Sequence, residues 1–254
     1  MTDAASQNGA IDRDWYASAF GRFYPIVYAH RTVEAAAPEI AFAAGCLELR
    51  ASDRTLDLCC GNGRHLAGAL NYTRRLVGLD YSPDLLRLAR GQLGPACALL
   101  RGDMRALPFV DCFDVVLNFF TSFGYFMDQV ENEAVAKGLG RALKRNGRFF
   151  IDYFNAAHVE ATLVPHSVRE VESFVITEDR WIDREHGRVN KATVVCKDES
   201  LVARWQESVR MYSFADMVAL LRAGGLEIDQ VFGNHDGSPF EGTQPRMILV
   251  GHRN

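Results

Sequence analysis

The densest set of acidic, thiol and glycine residues is Asp57-Leu-Cys-Cys-Gly61-Asn62-Gly63-Arg-His, with Asp80 closing the next apolar run. Glycines at a strand-to-helix turn let a ligand approach the backbone, and a helix start offers free N–H groups to an anion. An acid ending the second strand can accept hydrogen bonds from both hydroxyls of a ribose. Gly-x-Gly alone also occurs in plain tight turns. The acid at Asp80 is what turns the pattern toward a nucleoside.

These residues need a particular frame. Thr55 to Cys60 reads as a buried strand entering the glycine turn, followed by a helix over 64–71. Leu76 to Leu79 is a second strand. Ser82-Pro83 then supplies an N-cap and a first-turn proline for a helix over 83–91. Further strands are expected at 96–100, 113–117 and 148–153. A helix over 130–144 should close at Asn146-Gly147, a pair suited to a left-handed turn. Strand and helix alternating at this spacing mean parallel βαβ units with both sheet faces covered. Residues 14–48 carry two or three helices, broken by Pro25 and Pro38. Residues 167–212 alternate, with turn signals at 185–187 and 198–200, and read as three or four antiparallel strands. A helix over 214–223 and strands at 226–232 and 247–250 complete the chain. A nicotinamide-binding domain competes for the glycine turn, but its fingerprint wants a third glycine where Leu66 stands. It also gives no reason for Asp57 inside the first strand or Asp103 after the third.

The composition bounds the function. The 254 residues suit one large α/β domain with an insertion, and the net charge of -4 offers no overall basic field to a phosphate backbone. Residues 1–10 are polar and read as a disordered tail, neither signal peptide nor anchor, and no run suits a membrane span. The six cysteines form no Cys-x-x-Cys pair, so neither zinc nor redox work is expected, and a cytoplasmic home is. The expected partners are a small-molecule acceptor, neither nucleic acid nor membrane, and a second copy of the chain should a homodimer form.

In order along the chain, Asp57 to His65, Val77-Gly-Leu-Asp80-Tyr81-Ser, and Arg101-Gly-Asp103-Met104-Arg-Ala-Leu-Pro-Phe resemble the first three motifs of class I S-adenosylmethionine-dependent methyltransferases. Phe113 to Asn118 and Leu143 to Phe149 resemble the fourth and fifth strand regions. The resemblance implies a Rossmann-like fold: a seven-stranded, mostly parallel sheet with helices on both faces, plus an inserted antiparallel β subdomain. It implies S-adenosylmethionine as cofactor and S-adenosylhomocysteine as product. Gly61 and Gly63 would let the backbone meet the methionine portion, within a cofactor set that takes in Asp57, Asn62 and Tyr81. Asp80 would bind the ribose. Asp103 would accept from the adenine amino group, with Met104 covering the ring, and Asn118 would lie near the sulfonium. One departure is Cys59, where the family often has glycine or alanine; an effect on packing alone is expected.

Tyr24-Pro-Ile-Val-Tyr28-Ala-His-Arg31 further resembles the N-terminal helix of amino-sugar and glycine or sarcosine N-methyltransferases, which implies that Tyr28 and Arg31 close over the cofactor. Core packing is the alternative for Tyr24 and Tyr28, and a surface charge for Arg31. Thr121 to Tyr125 resembles the same sugar enzymes, so Tyr125 and Tyr24 are the catalytic candidates. Phe120, Tyr153, Trp181 and Arg210 are substrate-binding candidates, with Arg169, Trp205 and Arg246 further pocket candidates. The expected division is residues 11–50 as a lid, 51–166 with 213–254 as core, and 167–212 as an acceptor or dimer region. No motif marks a general base; His158, His166 and His235 are candidates, each equally at home in a polar loop. That tilts the expected acceptor toward an amine nitrogen over a hydroxyl. The alternatives are a protein that binds the cofactor without methyl transfer, such as a cyclase or regulator, and a nucleic-acid methyltransferase.

Overall fold

The computed structural model describes residues 11–254, and the tail expected over 1–10 lies outside the described residues. Along the chain, α1 (Tyr16–Ala19), α2 (Tyr24–Val27) and α3 (Val33–Cys46) precede β1 (Arg54–Leu58), α4 (Arg64–Ala69), β2 (Arg75–Asp80) and α5 (Pro83–Leu93). Next come β3 (Ala98–Arg101), β4 (Phe113–Asn118), α6 (Gln129–Ala142), β5 (Leu143–Phe154) and α7 (Ala156–Thr162). Four strands follow: β6 (His166–Val171), β7 (Phe174–Asp183), β8 (Arg188–Lys197) and β9 (Ser200–Arg210). The chain ends with α8 (Phe214–Ala223), β10 (Leu226–Phe232) and β11 (Arg246–Arg253).

A seven-stranded sheet runs in the order β10-β11-β5-β4-β1-β2-β3. β11 lies antiparallel to both neighbours, while β5, β4, β1, β2 and β3 are parallel. The order reverses between β1 and β4, the switch point at which open α/β sheets take ligands beyond the strand ends. Alternation along the strands feeds two cores. Phe149 and Ile151 join the cluster on one face, whereas Phe150 joins Val115, Leu117 and Ile248 on the other. Burial on both faces explains why these strands read as unbroken apolar runs.

The remaining strands form a separate antiparallel sheet in the order β6-β7-β8-β9, inserted after β5 and α7. Ser82 caps α5 as its sequence suggests, accepting from the N–H of Leu85 at 3.2 Å. The expected helix over 130–144 stops at Ala142 instead. Leu143 is fully buried, adopts an extended backbone and already pairs with Phe113. Asn146 keeps its left-handed conformation (φ 60°), but inside a bulge of β5. Burial of Leu143 outweighs a longer helix.

Candidate active site

A cavity of about 460 Å³ lies at the carboxyl ends of β1, β2 and β4, between the N-terminal helices and the inserted sheet. Its inner half is the turn joining β1 to α4. Cys59, Gly61 and Gly63 all have left-handed backbones, with φ of 62°, 55° and 83°. Glycine is needed at two of these for different reasons. Gly61 lines the cavity, while a Cβ at Gly63 would come within 2.9 Å of Leu93 and 3.1 Å of Ala89, so Gly63 seats α4 against α5. The left-handed backbone at Cys59 accounts for glycine being common there; its thiol packs 3.5 Å from the Met104 sulfur.

Asp80 accepts from the N–H of Gly61 and from that of Ser82, each at 2.8 Å, locking the turn to the end of β2. Burial pushes its carboxyl above the usual range, against the pull of those N–H groups. Asp57 is buried behind the turn, and burial together with the neighbouring Asp80 pushes its carboxyl up to about 8. Asp103 lines the cavity, but Arg105 holds it in a two-pronged pair, with Nη2 at 2.6 Å. Burial of Asp103 is outweighed by that guanidinium, and its carboxyl lies below the ordinary value.

The loop after β4 is strained where it meets the cavity. Phe120 and Thr121 both carry φ near 60°, a conformation bulky and β-branched residues avoid. Asp152 enforces it: fully buried on β5, it accepts from the Phe120 N–H at 3.0 Å, and its carbonyl takes the Thr121 N–H at 2.8 Å. Arg246 on β11 neutralises the carboxylate at 2.6 Å. The loop thereby presents the Phe120 ring to Arg31, whose guanidinium carbon lies 3.5 Å from the ring centre and 4.0 Å from that of Tyr28. Arg31 Nε is buried without a partner among the described residues. A guanidinium sandwiched between two rings with an unused donor is a ready carboxylate binder.

The outer wall is one face of the inserted sheet, where Val189 pairs with Val209 and Lys191 with Glu207. Lys191 Nζ lies 2.8 Å from Glu207, which also accepts from the Tyr28 hydroxyl and the Trp205 indole, each at 3.1 Å. Lys191 donates to the Tyr28 oxygen in turn. Burial works against the Lys191 charge, but Glu207 outweighs it and holds the ammonium above its ordinary pKa. Burial raises Tyr28 and Tyr125, keeping both phenols neutral.

The cavity brings together most of the residues singled out in the sequence: Tyr24, Tyr28, Arg31, Gly61, Asn62, Asp80, Tyr81, Asp103, Met104, Phe120 and Tyr125. Others lie elsewhere. Asp57, Gly63 and Asn118 sit beneath the cradle; Asn118 donates to the Leu58 carbonyl at 3.0 Å. Tyr153 is fully buried and its hydroxyl donates to the Arg210 carbonyl. Trp181 and Arg210 are corrected by strand alternation: their neighbours Arg180 and Val209 line the cavity, so they fall on the opposite face. Arg169 and Trp205 share the wall's inner face without lining the cavity, Arg169 donating to the Val27 carbonyl at 2.7 Å and the Trp205 indole to Glu207 at 3.1 Å. His158 meets the Thr243 carbonyl and His166 meets Asp179, both away from the cavity. His235 stands 3.7 Å from Asp152 with its Nε2 unpartnered.

Sequence reasoning missed Lys191, Glu207, Arg64 and His65 as cavity residues. His65 stacks on Phe119 at 3.9 Å and meets Glu39 at 2.6 Å. The last two follow the glycine turn directly, and that adjacency was the available signal. Among the described residues no cluster of side chains suits a metal ion, and no helix is long and apolar enough to cross a membrane.

Residues 55–147 match the family described as "Methyltransferase domain". With this fold and cradle, the chain carries a methyltransferase domain on the architecture of class I S-adenosylmethionine-dependent methyltransferases. Among individual proteins, it is 28% identical over 204 residues to the cypemycin N-terminal methyltransferase of a Streptomyces species, covering 78% of this chain and 82% of that one. It is 31% identical over 134 residues to the dTDP-3-amino-3,6-dideoxy-alpha-D-glucopyranose N,N-dimethyltransferase of Streptomyces fradiae, across 46% of this chain and 52% of that one. The sugar N-methyltransferase KedS8 from a Streptoalloteichus species superposes with a TM-score of 0.70 at 23% identity, covering 100% of this chain and 99% of its own, a likeness of fold.

Proposed function

We propose that the inner half of the cavity holds S-adenosylmethionine and the outer half holds a small amine that is methylated on nitrogen. The residues fit the cofactor. Asp80 keeps acceptor capacity for ribose hydroxyls beyond its two backbone bonds, Gly61 leaves backbone room, and the sandwiched Arg31 has an unused buried donor. In this reading Met104 and Asp103 flank the adenine, and residues 11–50 form the lid. Residues 167–212 form the acceptor wall. When bound, the cofactor supplies a methyl group on a positively charged sulfur, which a lone pair displaces in line.

The observation that carries the nitrogen reading is the bonding of the outer wall, where the Glu207 carboxylate is taken up by Lys191, Tyr28 and Trp205 rather than free to act as a base. Tyr28 and Tyr125 are held as neutral phenols and Lys191 as an ammonium. A hydroxyl acceptor would need a base to take its proton. An amine needs only to be neutral, and no proton has to be taken by the wall for that form to react. Tyr24 and Tyr125 then orient the amine, while the lid and the strained Phe120 loop exclude water. The cavity volume suits a small molecule or the end of a chain. Two relatives named above for nitrogen methylation, one of an amino-sugar nucleotide and one of an N-terminus, support this reading.

Calorimetric titration with S-adenosylmethionine, S-adenosylhomocysteine and NAD tests the cofactor half: micromolar binding of the first two with NAD silent is expected. Mass spectrometry on an amino-sugar nucleotide, a peptide with a free α-amine, and their hydroxyl counterparts tests the acceptor half. Methylation of the hydroxyl compounds and not the amines would overturn the nitrogen reading.

A further inference from the structure

We propose that the inserted sheet also takes part in cofactor binding, with Lys191 and Glu207 positioning Arg31 through Tyr28. The chain of contacts is continuous. Lys191 and Glu207 face each other across β8 and β9 at 2.8 Å, and the Tyr28 hydroxyl lies between them, donating to Glu207 at 3.1 Å and accepting from Lys191. That fixes the Tyr28 ring, which is the shelf under the Arg31 guanidinium at 4.0 Å, with Phe120 on the other side at 3.5 Å. A second tie holds the same segment, Arg169 donating to the Val27 carbonyl at 2.7 Å.

The physical consequence follows from where these bonds run. Tyr28 and Arg31 belong to the N-terminal segment, whose described residues contribute no strand to either sheet. Among the described residues Arg31 makes one weak side-chain bond of its own, to the Tyr24 hydroxyl at 3.5 Å. Its place is therefore set by the rings that sandwich it, and one of those rings is held from the inserted sheet. Lys191 and Glu207 are positioning residues: they hold the arginine that meets the cofactor carboxylate without touching the cofactor themselves. This rests on the reading of Arg31 as that carboxylate binder.

The experiment compares binding of S-adenosylhomocysteine with that of 5′-methylthioadenosine, which keeps the adenosine but lacks the amino-acid group. Lys191→Met should weaken the first about tenfold, the scale of one bond to a charged group, and leave the second within about twofold. Tyr28→Phe keeps the ring and removes the link, so it should give the same selective loss, and the double variant should lose no more than either single one. Equal weakening of both ligands would overturn the proposal, since a merely structural role lowers both. So would unchanged affinity for S-adenosylhomocysteine. Arg31→Ala separates the two levels. If it fails to weaken S-adenosylhomocysteine selectively, the carboxylate reading falls. If it does so while Lys191→Met and Tyr28→Phe do not, only the positioning role falls.

Discussion

Asp80→Asn probes the cradle and the ribose assignment together. The carboxylate accepts two backbone N–H groups, from Gly61 and Ser82, each at 2.8 Å. An amide of the same shape has one acceptor oxygen, so one of these bonds is lost and an NH2 group faces a backbone donor. A bond to a charged group contributes about 1.5–3 kcal/mol, which for a chain of this size lowers Tm by roughly 3–12 °C. Burial already pushes the Asp80 carboxyl up, so relief of that desolvation places the loss at the low end of this range. Loss of the charge-assisted bonds to ribose should weaken S-adenosylhomocysteine by roughly 10- to 150-fold. Thermal unfolding of the free protein and calorimetric titration read the two effects separately. A 2′-deoxy analogue should lose less in the variant than the parent ligand does. Wild-type affinity together with a lowered Tm would refute the ribose assignment while leaving the turn intact, and no change in either would refute both.

Asp57→Asn should raise Tm increasingly with pH. A buried carboxyl held near 8 favours the folded state at low pH, and that contribution fades as pH rises from about 4 through 8. The variant's advantage over wild type should thus grow between pH 5 and 8, and a constant difference would contradict the burial argument. Arg246→Ala strips the partner from fully buried Asp152 and should cost about 3–5 kcal/mol, roughly 6–20 °C in Tm. Adding Asp152→Asn should recover much of the loss; no recovery would mean that Arg246 acts through packing alone. Tyr125→Phe should preserve affinity for S-adenosylhomocysteine and slow turnover of an acceptor that the wild type methylates, and undiminished turnover would remove its hydroxyl from the chemistry.

The cofactor half of the site was legible because its parts are local. A strand, two glycines and a helix start occupy one stretch of chain, Asp80 ends the next strand, and Asp103 and Met104 lie just past the third. The parallel order also follows, since βαβ units leave few ways to lay such strands side by side. Ser82-Pro83 marked its helix for the same reason: capping is decided within four residues. The break at Leu143 was not legible, because Asn146-Gly147 suits a helix end and a strand bulge equally; contact with Phe113 decides between them.

The outer half of the cavity depended on tertiary structure. Trp181 and Arg210 were chosen by residue type, yet Arg180 and Val209 line the cavity, because a shift of one residue along a strand reverses the face. Tyr28 and Glu207 stand 179 residues apart, and Arg246 and Asp152 94 apart. Nothing in local spacing pairs them. Composition and motif determine which groups a chain carries and how each short segment folds. Which distant groups meet across a cavity is decided by sheet register and the docking of the N-terminal helices, where the gain comes from burying both partners at once.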